Sequence, residues 1–144
     1  MRIDGGCFCG YITYDAEADP ALVMICHCTD CQTLTGSAFR TVILTREDGL
    51  VLRSGAPKIY VKTAENGNKR LQAFCPECGT PIYSTAPGDG PKVYVIRLGT
   101  VRQRDQLVPK TQIWSRSAQK WLGQVGALRT FEKEPVFDRA GDHD

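Results

Sequence analysis

Seven cysteines grouped in three short clusters constrain this chain more than any other feature. The clusters are Cys7-Phe8-Cys9, Cys26-His27-Cys28-Thr29-Asp30-Cys31 and Cys75-Pro76-Glu77-Cys78. Sulfurs this close in sequence can bind one ion from a single turn, and the spacing is typical of thiolate metal ligands. A closed tetrahedral zinc site uses four thiolates, which leaves three cysteines for a second site with an open coordination position. The sequence therefore predicts two zinc ions, one structural and one reactive.

A disulfide framework is the main alternative to metal binding. An odd number of cysteines cannot all pair, and a Cys-x-Cys disulfide would close too short a loop for relaxed geometry. The first six residues lack the charged start and apolar stretch of a secretory signal, so we expect the thiols to stay reduced. Iron–sulfur ligation is a second alternative, but no single run of four cysteines of the ferredoxin type occurs. Zinc is the preferred interpretation.

The length of 144 residues predicts one zinc-binding domain, 1–144, with an ordered core at about 3–137 and a flexible tail at 139–144. The formal net charge of +2 counts the thiols as neutral. Bound thiolates and two zinc ions would bring it to about −1, which gives no basic surface for nucleic acid. The longest purely apolar stretch, residues 21–26, is too short to span a membrane. We expect a cytoplasmic protein without a nucleic-acid or membrane partner.

Short runs of β-branched and aromatic residues fill most of the remaining sequence. Turn signals such as Asp48-Gly49 separate these runs at intervals of about ten residues. The pattern predicts a mainly β fold of small packed antiparallel sheets, with strands at 11–14, 21–25, 39–44, 50–52, 58–61, 70–74, 82–84 and 92–98. The only helix predicted is a short one at 115–122, where Trp114, Ala118 and Trp121 would share one face, although the segment could equally be irregular. The two tryptophans could line the mouth of a pocket, but aromatic residues at this spacing more often belong to the core.

The segment Cys75-Pro76-Glu77-Cys78-Gly79 is similar to half of a zinc ribbon. The glycine after the second cysteine lets the backbone turn so that its amides point at the sulfurs. Two other pairs could complete this site. Pairing with Cys7 and Cys9 leaves a trio at 26, 28 and 31, whereas pairing with the cysteines at 28 and 31 leaves those at 7, 9 and 26.

The first pairing is preferred because Cys26, Cys28 and Cys31 span only six residues. One loop can then present three sulfurs to one face of an ion. His27 lies between two of these candidate ligands. Because alternate residues of an extended backbone point in opposite directions, we expect its ring to point away from the metal and to support the site from behind it.

Four segments carry a more specific pattern: Gly5-Gly6-Cys7-Phe8-Cys9-Gly10-Tyr11-Ile12, Cys26-His27-Cys28-Thr29-Asp30-Cys31-Gln32, Thr35-Gly36-Ser37-Ala38-Phe39 and Phe74-Cys75-Pro76-Glu77-Cys78-Gly79-Thr80-Pro81-Ile82-Tyr83. With them, the chain resembles the family of glutathione-dependent formaldehyde-activating enzymes, in which all seven cysteines match in order and spacing. The resemblance runs from about Gly5 to Ile82 and continues more weakly through 113–117 and Trp121. Gln112 departs from the pattern, because many relatives carry His there.

The resemblance implies a β-rich fold of small coiled sheets with zinc-ribbon-like knuckles. It also implies a structural zinc on Cys7, Cys9, Cys75 and Cys78, and a catalytic zinc on Cys26, Cys28 and Cys31. The activity implied is that of S-(hydroxymethyl)glutathione synthase, a carbon–sulfur lyase whose small-molecule partners are glutathione and formaldehyde.

Zinc held by three thiolates is a weak Lewis acid, because thiolates donate strongly. Water bound there should have a pKa above the value of about 7 found with neutral ligands, so a soft thiol suits the open position better. Glutathione brings two carboxylates and one ammonium group. Its candidate partners are the cationic and hydroxyl side chains of Arg40, Lys69, Arg70, Thr35 and Ser37.

Two alternatives to an enzyme remain. The protein could be a carrier that binds glutathione or another thiol without accelerating adduct formation. It could also be a zinc-stabilised module that binds another macromolecule.

Overall fold

The computed structural model describes residues 1–136, so the tail predicted to be flexible lies outside the described residues. Eight strands join into one sheet, which confirms the mainly β class. The strands are β1 (Arg2–Gly6), β2 (Thr13–Cys26), β3 (Arg40–Ser54), β4 (Lys58–Thr63), β5 (Lys69–Phe74), β6 (Pro81–Thr85), β7 (Val95–Arg97) and β8 (Thr111–Ile113). The helices are α1 (Thr29–Thr35) and the 3₁₀ segments Leu98–Thr100, Arg104–Gln106, Ser115–Ser117 and Lys120–Ala127.

The main path of the sheet runs β1-β2-β3-β7-β6-β5-β4, and all neighbours along it are antiparallel. β8 lies off this path and pairs with the end of β2 in parallel. The excursion between β2 and β3 contains α1, whereas most other successive strands are joined by short turns. The eight strands form one sheet in which each strand is hydrogen-bonded to at least one neighbour.

β2 and β3 each join two runs that the sequence predicts as separate strands. The pair Asp48-Gly49, predicted as a turn, lies inside β3, where Asp48 has a φ of 52°. Its backbone N–H donates to the carbonyl of Lys92 at 2.7 Å, and its carboxylate accepts from the Lys92 N–H at 3.0 Å. The pairing with β2 shifts register at this point. A bulge thus replaces the predicted turn.

The predicted helix at 115–122 is wrong. Two short 3₁₀ segments occupy that region, and Trp114 before them has a φ of 57°. Trp114 and Trp121 are 42% and 49% exposed, so neither belongs to the core. The α-helix lies instead in the second cysteine cluster, where Cys28 caps its start and Gly36 ends it with a φ of 63°. None of the helices formed by residues 1–136 is both long and apolar enough to cross a membrane.

β1 is a strand that the sequence pattern does not predict, because it ends in two glycines. The structure explains why Gly5 is needed there. A Cβ at this position would lie 2.0 Å from the backbone carbonyl oxygen of Thr100. The first strand therefore packs its backbone directly against the segment that follows β7.

Strand register separates the sheet into two faces. The core face is formed by aligned residues that are at least nine-tenths buried: Val23, Ile43, Ile96, Tyr83 and Ala73. Alternation places a different set on the opposite face, here called the site face: Cys26, Arg40, Arg97, Ser84, Gln72 and Arg70. The hydrophobic core thus supports a sheet whose other side presents sulfur and positive charge.

Shortening a core side chain should destabilise the protein more than the same change at the surface. Ile43 is fully buried, whereas Ile59 is 41% exposed. We expect Ile43→Val to lower the free energy of unfolding by about 0.5–1.5 kcal/mol, because it leaves a small cavity. Ile59→Val should change it by less than about 0.5 kcal/mol. Urea denaturation of both variants checks this, and equal effects would contradict the assignment of the core face.

Candidate metal centres and substrate clefts

Four cysteines from two distant turns form the first sulfur cluster. The sulfurs of Cys7, Cys9, Cys75 and Cys78 all lie within 4.8 Å of one another. Cys9 is 3.6 Å from Cys7 and 3.8 Å from Cys75. The first pair follows β1, and the second lies in the turn between β5 and β6. The cluster therefore joins the N-terminal hairpin to the middle of the chain.

Backbone amides point at the sulfurs in both turns. The N–H of Ile12 donates to Cys7 at 3.2 Å, and that of Glu77 donates to Cys75 at 3.4 Å. Gly79 has a φ of 80°, and its N–H donates to the Cys75 carbonyl at 2.8 Å, so the turn closes tightly. Such donors stabilise negative charge on sulfur. Four soft sulfurs in mutual contact, with amides directed at them, fit a tetrahedral zinc ion.

Thr80 connects the two turns of the first cluster. Its hydroxyl donates to the sulfur of Cys78 at 3.1 Å and accepts the backbone N–H of Phe8 at 3.1 Å. The bond from Thr80 is the main reason that the pKa of the Cys78 thiol falls to about 5. A thiolate is thus favoured at this position at neutral pH.

Three cysteines form the second sulfur cluster at the start of α1. The sulfurs of Cys26, Cys28 and Cys31 lie within 4.8 Å of one another. The Cys28 sulfur caps the helix by accepting the Cys31 N–H at 3.2 Å. Cys26 is buried at the end of β2, whereas the other two side chains are partly exposed. The donor set fits a zinc ion bound by three thiolates and reached from the side of Cys28 and Cys31.

Charge in the second cluster is concentrated on Cys31. The pKa of this thiol falls to about 5, mainly because it accepts a hydrogen bond from the Cys26 thiol. The Cys28 thiol and the guanidinium of Arg40 add to the effect. The pKa of Cys26 rises in turn, because it donates to Cys31 and is buried. The cluster therefore holds a thiolate beside a cation.

His27 is held away from the three sulfurs. Its Nε2 lies 2.7 Å from the side-chain oxygen of Gln112 on β8, and its ring meets Phe39 edge-on at 5.8 Å. Its backbone carbonyl accepts hydrogen bonds from Gln32 and Ser117 at 2.9 and 2.8 Å. Gln112 thus anchors the buried side chain of His27. This arrangement supports the loop from behind.

Arg40 lies nearest to the sulfurs among the predicted substrate contacts. It is opposite Cys26 in the pairing of β2 with β3, and it is 5% exposed. Its guanidinium helps to lower the pKa of the Cys31 thiol. Arg40 therefore borders the second cluster from inside the protein.

Of the two predicted hydroxyl contacts, the Thr35 hydroxyl has local partners. The Thr35 hydroxyl donates to the Cys31 carbonyl at 2.7 Å and accepts the Ser37 N–H at 3.2 Å. Both residues thus help to end α1. Thr35 also borders a cleft beside Arg40, so it remains close to the site.

The other two predicted cations lie farther along the sheet. The Lys69 ammonium group donates to the Thr63 hydroxyl across the β4–β5 hairpin. Arg70 is partly buried on β5 and donates to the Ser84 hydroxyl at 3.3 Å. Neither lines a cleft that includes a cysteine of the second cluster.

A cleft of about 490 Å³, here called the thiol groove, opens beside the second cluster. It is lined by residues that include Cys28, Asp30, Lys62, Glu65, Trp114 and Arg116. Lys62 and Asp30 form an ion pair at 2.9 Å, as do Arg116 and Glu65. The Arg116 guanidinium also lies 4.9 Å from the Trp114 ring centroid. The groove therefore presents charges of both signs next to Cys28.

The charged residues of the thiol groove were missed from the sequence. Lys62 and Glu65 belong to the β4–β5 region, and Arg116 lies near the C-terminal end of the described chain. Only the order of strands in the sheet brings them to α1. No local motif signals this arrangement.

The fold and the two clusters define a class: mainly β proteins with sulfur-rich candidate zinc centres. A family model described as glutathione-dependent formaldehyde-activating enzyme matches residues 2–117, and the chain belongs to this family. A crystal structure of a Rhodobacter sphaeroides protein shares 19% sequence identity and covers 78% of this chain and 99% of its own, with a TM-score of 0.56. That likeness shows a shared fold. No curated protein matches the sequence.

Removing the Thr80 hydroxyl should weaken metal binding by the first cluster. Thr80→Val keeps the shape of the side chain but removes the donor to Cys78. We expect zinc affinity to fall by about tenfold or more, as is typical for groups that support metal ligands. Competition with a chromophoric chelator measures the affinity. Thr130→Val is the control, because within the described residues that hydroxyl bonds only to the nearby Leu128 carbonyl. Equal affinities in the two variants would contradict this role.

Proposed function

We propose that this protein is a zinc-dependent, carbon–sulfur-lyase-like enzyme that binds glutathione or a related thiol and handles its adduct with formaldehyde or another aldehyde. One observation carries the proposal: the three sulfurs of Cys26, Cys28 and Cys31 lie together beside a charged groove, in a chain of this family. A cytoplasmic location stays a prediction.

The seven cysteines divide into two candidate metal sites with different roles. We assign Cys7, Cys9, Cys75 and Cys78 to a structural zinc and Cys26, Cys28 and Cys31 to the reactive one. When bound by the three cysteines, zinc would supply a soft position that favours a sulfur ligand in its thiolate form. The partly exposed Cys28 borders the thiol groove, which gives an incoming thiol a path to this position.

The thiol groove matches the charges of glutathione. Lys62 and Arg116 would bind its two carboxylates, and Asp30 or Glu65 would bind its ammonium group. These four side chains are already paired with one another, so binding would exchange protein ion pairs for ligand ion pairs. The Arg116–Glu65 pair is exposed and contributes little to stability, so its exchange costs little.

The reaction needs no oxidant or reductant. The glutathione sulfur bonds to the carbonyl carbon, the π electrons of the carbonyl group move to oxygen, and the thiol proton ends on that oxygen. The lyase direction reverses each change. Residues of this chain would act by holding the two reactants together and by stabilising negative charge beside Arg40, which is the main gain open to such a site.

Reduced glutathione should bind to the zinc-loaded protein through its thiol. In a calorimetric titration, we expect saturable binding with proton release, because the thiol is bound as a thiolate. Proton release appears as a dependence of the heat on the ionisation enthalpy of the buffer. S-methylglutathione, which has no free thiol, is the control and should bind without releasing a proton. If no heat of binding is detected up to millimolar glutathione, the assignment of glutathione as the thiol is wrong.

Loss of a cysteine should have different effects in the two clusters. We expect Cys28→Ser to abolish glutathione binding and turnover but to leave a folded protein with one zinc. Cys75→Ser should lower the thermal midpoint strongly, because Cys75 is fully buried and joins distant turns. Metal analysis and thermal unfolding of both variants check this. Equal loss of stability would mean that the division into structural and reactive zinc is wrong.

A carrier is the alternative that shares the same site. It would bind the thiol equally well but would not accelerate adduct formation. Stopped-flow rates with glutathione and formaldehyde separate the two functions. A rate no higher than that of the uncatalysed reaction would favour the carrier.

A further inference from the structure

Three arginines share the site face without a carboxylate partner. Arg40 and Arg97 are 5% and 8% exposed, and Arg70 is partly buried. Within residues 1–136, none of the three forms an ion pair with Asp or Glu. Arg97 bonds instead to the neutral side chain of Gln72 and to the Val95 carbonyl. Such an arrangement is unusual, because buried charge is normally paired.

Two of these arginines also keep unused donors. The Nε atoms of Arg40 and Arg97 are buried and have no hydrogen-bond partner in the described part of the chain. Burial, with the charge of Arg40, lowers the pKa of Arg97 to about 9. The nearby sulfur cluster supplies some negative charge through Cys31. Even with zinc bound, three thiolates leave a single net negative charge against three guanidinium groups.

A cleft lined by Arg40 and Arg97 opens under α1, whereas Arg70 is not among its lining residues. It consists of two adjoining cavities of about 320 and 680 Å³ that share four lining residues. We call it the arginine cleft and define it by Leu34, Arg40, Tyr60, Phe74, Pro81 and Arg97. Its walls are mainly apolar, and the charged side chains that line it are Arg40 and Arg97, apart from Cys7, which belongs to the first sulfur cluster. It has room for an anionic group attached to an apolar body.

We propose that the arginine cleft binds the carboxylate of the carbonyl substrate. The substrate would then be an aldehyde with an apolar body and a carboxylate, rather than formaldehyde alone. This inference rests on the proposed function and names the class of its second reactant. Formaldehyde has neither the charge nor the volume to use the cleft. A guanidinium pair suits a carboxylate, which accepts two parallel N–H bonds from each arginine.

The position of Arg40 links this cleft to the reacting sulfur. Arg40 lines both cavities and lies opposite Cys26 of the second cluster in the pairing of β2 with β3. A carboxylate bound to Arg40 therefore lies next to the second cluster. The thiol groove includes the first turn of α1, whereas the arginine cleft includes Leu34 in its last turn. The two clefts thus lie at opposite ends of α1, and the proposal places the thiol in one and the carbonyl substrate in the other.

The chemistry remains the addition of a thiol to a carbonyl group. The sulfur–carbon bond forms, the carbonyl π electrons move to oxygen, and the thiol proton ends on that oxygen. The product is a hemithioacetal that keeps its carboxylate. The arginines bind this group but do not take part in the bond changes.

The test compares two aldehydes of similar length on the zinc-loaded protein without thiol. Succinic semialdehyde carries a carboxylate, and pentanal is the neutral control. We expect calorimetry to show saturable binding of succinic semialdehyde that is at least about tenfold tighter than that of pentanal, since hydrogen bonds to a charged group carry this difference. Equal affinity for the two aldehydes would overturn the proposal.

Variants identify the binding site. Arg97→Gln should weaken succinic semialdehyde binding by about tenfold, and Arg97→Lys should weaken it less because the charge is kept. Arg102→Gln is the matched control, because Arg102 is exposed and pairs with Asp4. Leu34→Trp should also block the cleft without removing a buried charge, and Leu34 is 43% exposed, so the fold should tolerate it. Binding that survives both Arg97→Gln and Leu34→Trp would overturn the proposal.

A second titration separates the possible sources of the carboxylate. If Arg97→Gln weakens glutathione binding and leaves succinic semialdehyde binding unchanged, the carboxylate belongs to the thiol, and the proposal is wrong. If the wild-type protein binds succinic semialdehyde but not glutathione, the carboxylate site stands and the proposed thiol function fails.

Discussion

The first sulfur cluster is the constraint on which the shape of the sheet depends. Cys7 directly follows β1, and Cys75 directly follows β5, which stands five strands away along the main path. In a flat sheet, that separation would be roughly 24 Å at the usual spacing between strands. The sulfurs of Cys9 and Cys75 are 3.8 Å apart. The sheet must therefore curl strongly, and this curl encloses the core against one face and leaves the other for the site.

The position of α1 over the site face brings the second sulfur cluster together. Cys28 at the N-cap of the helix and Cys31 in its first turn lie close to Cys26, the last residue of β2. Its two ends border different spaces, one with charges of both signs and one with buried arginines. A single seven-residue helix thus lies between two clefts that differ in charge. Gly36 and Thr35 fix the C-terminal end of the helix, which borders the arginine cleft.

The sequence was informative about class and less so about arrangement. The alternating apolar runs predict the mainly β fold, and the cysteine motifs predict the family; both are confirmed. The turn predicted at Asp48-Gly49 is wrong because a turn-forming pair can also form a bulge within a long strand. No local motif marks Arg97 as a cleft residue, because its position beside Arg40 depends on the pairing of β3 with β7. The zinc ligands and substrate contacts stay predictions.

The long reach of the first cluster also has a consequence for how the chain is made. Its two halves lie 66 residues apart, from Cys9 to Cys75. During synthesis on the ribosome, Cys7 and Cys9 emerge well before Cys75 and Cys78, so the first cluster cannot form until the β5–β6 turn has been made. Closing so large a loop is a slow, late event in folding. The supply of metal in the cell would then limit how much of the newly made protein completes folding, before any substrate binds.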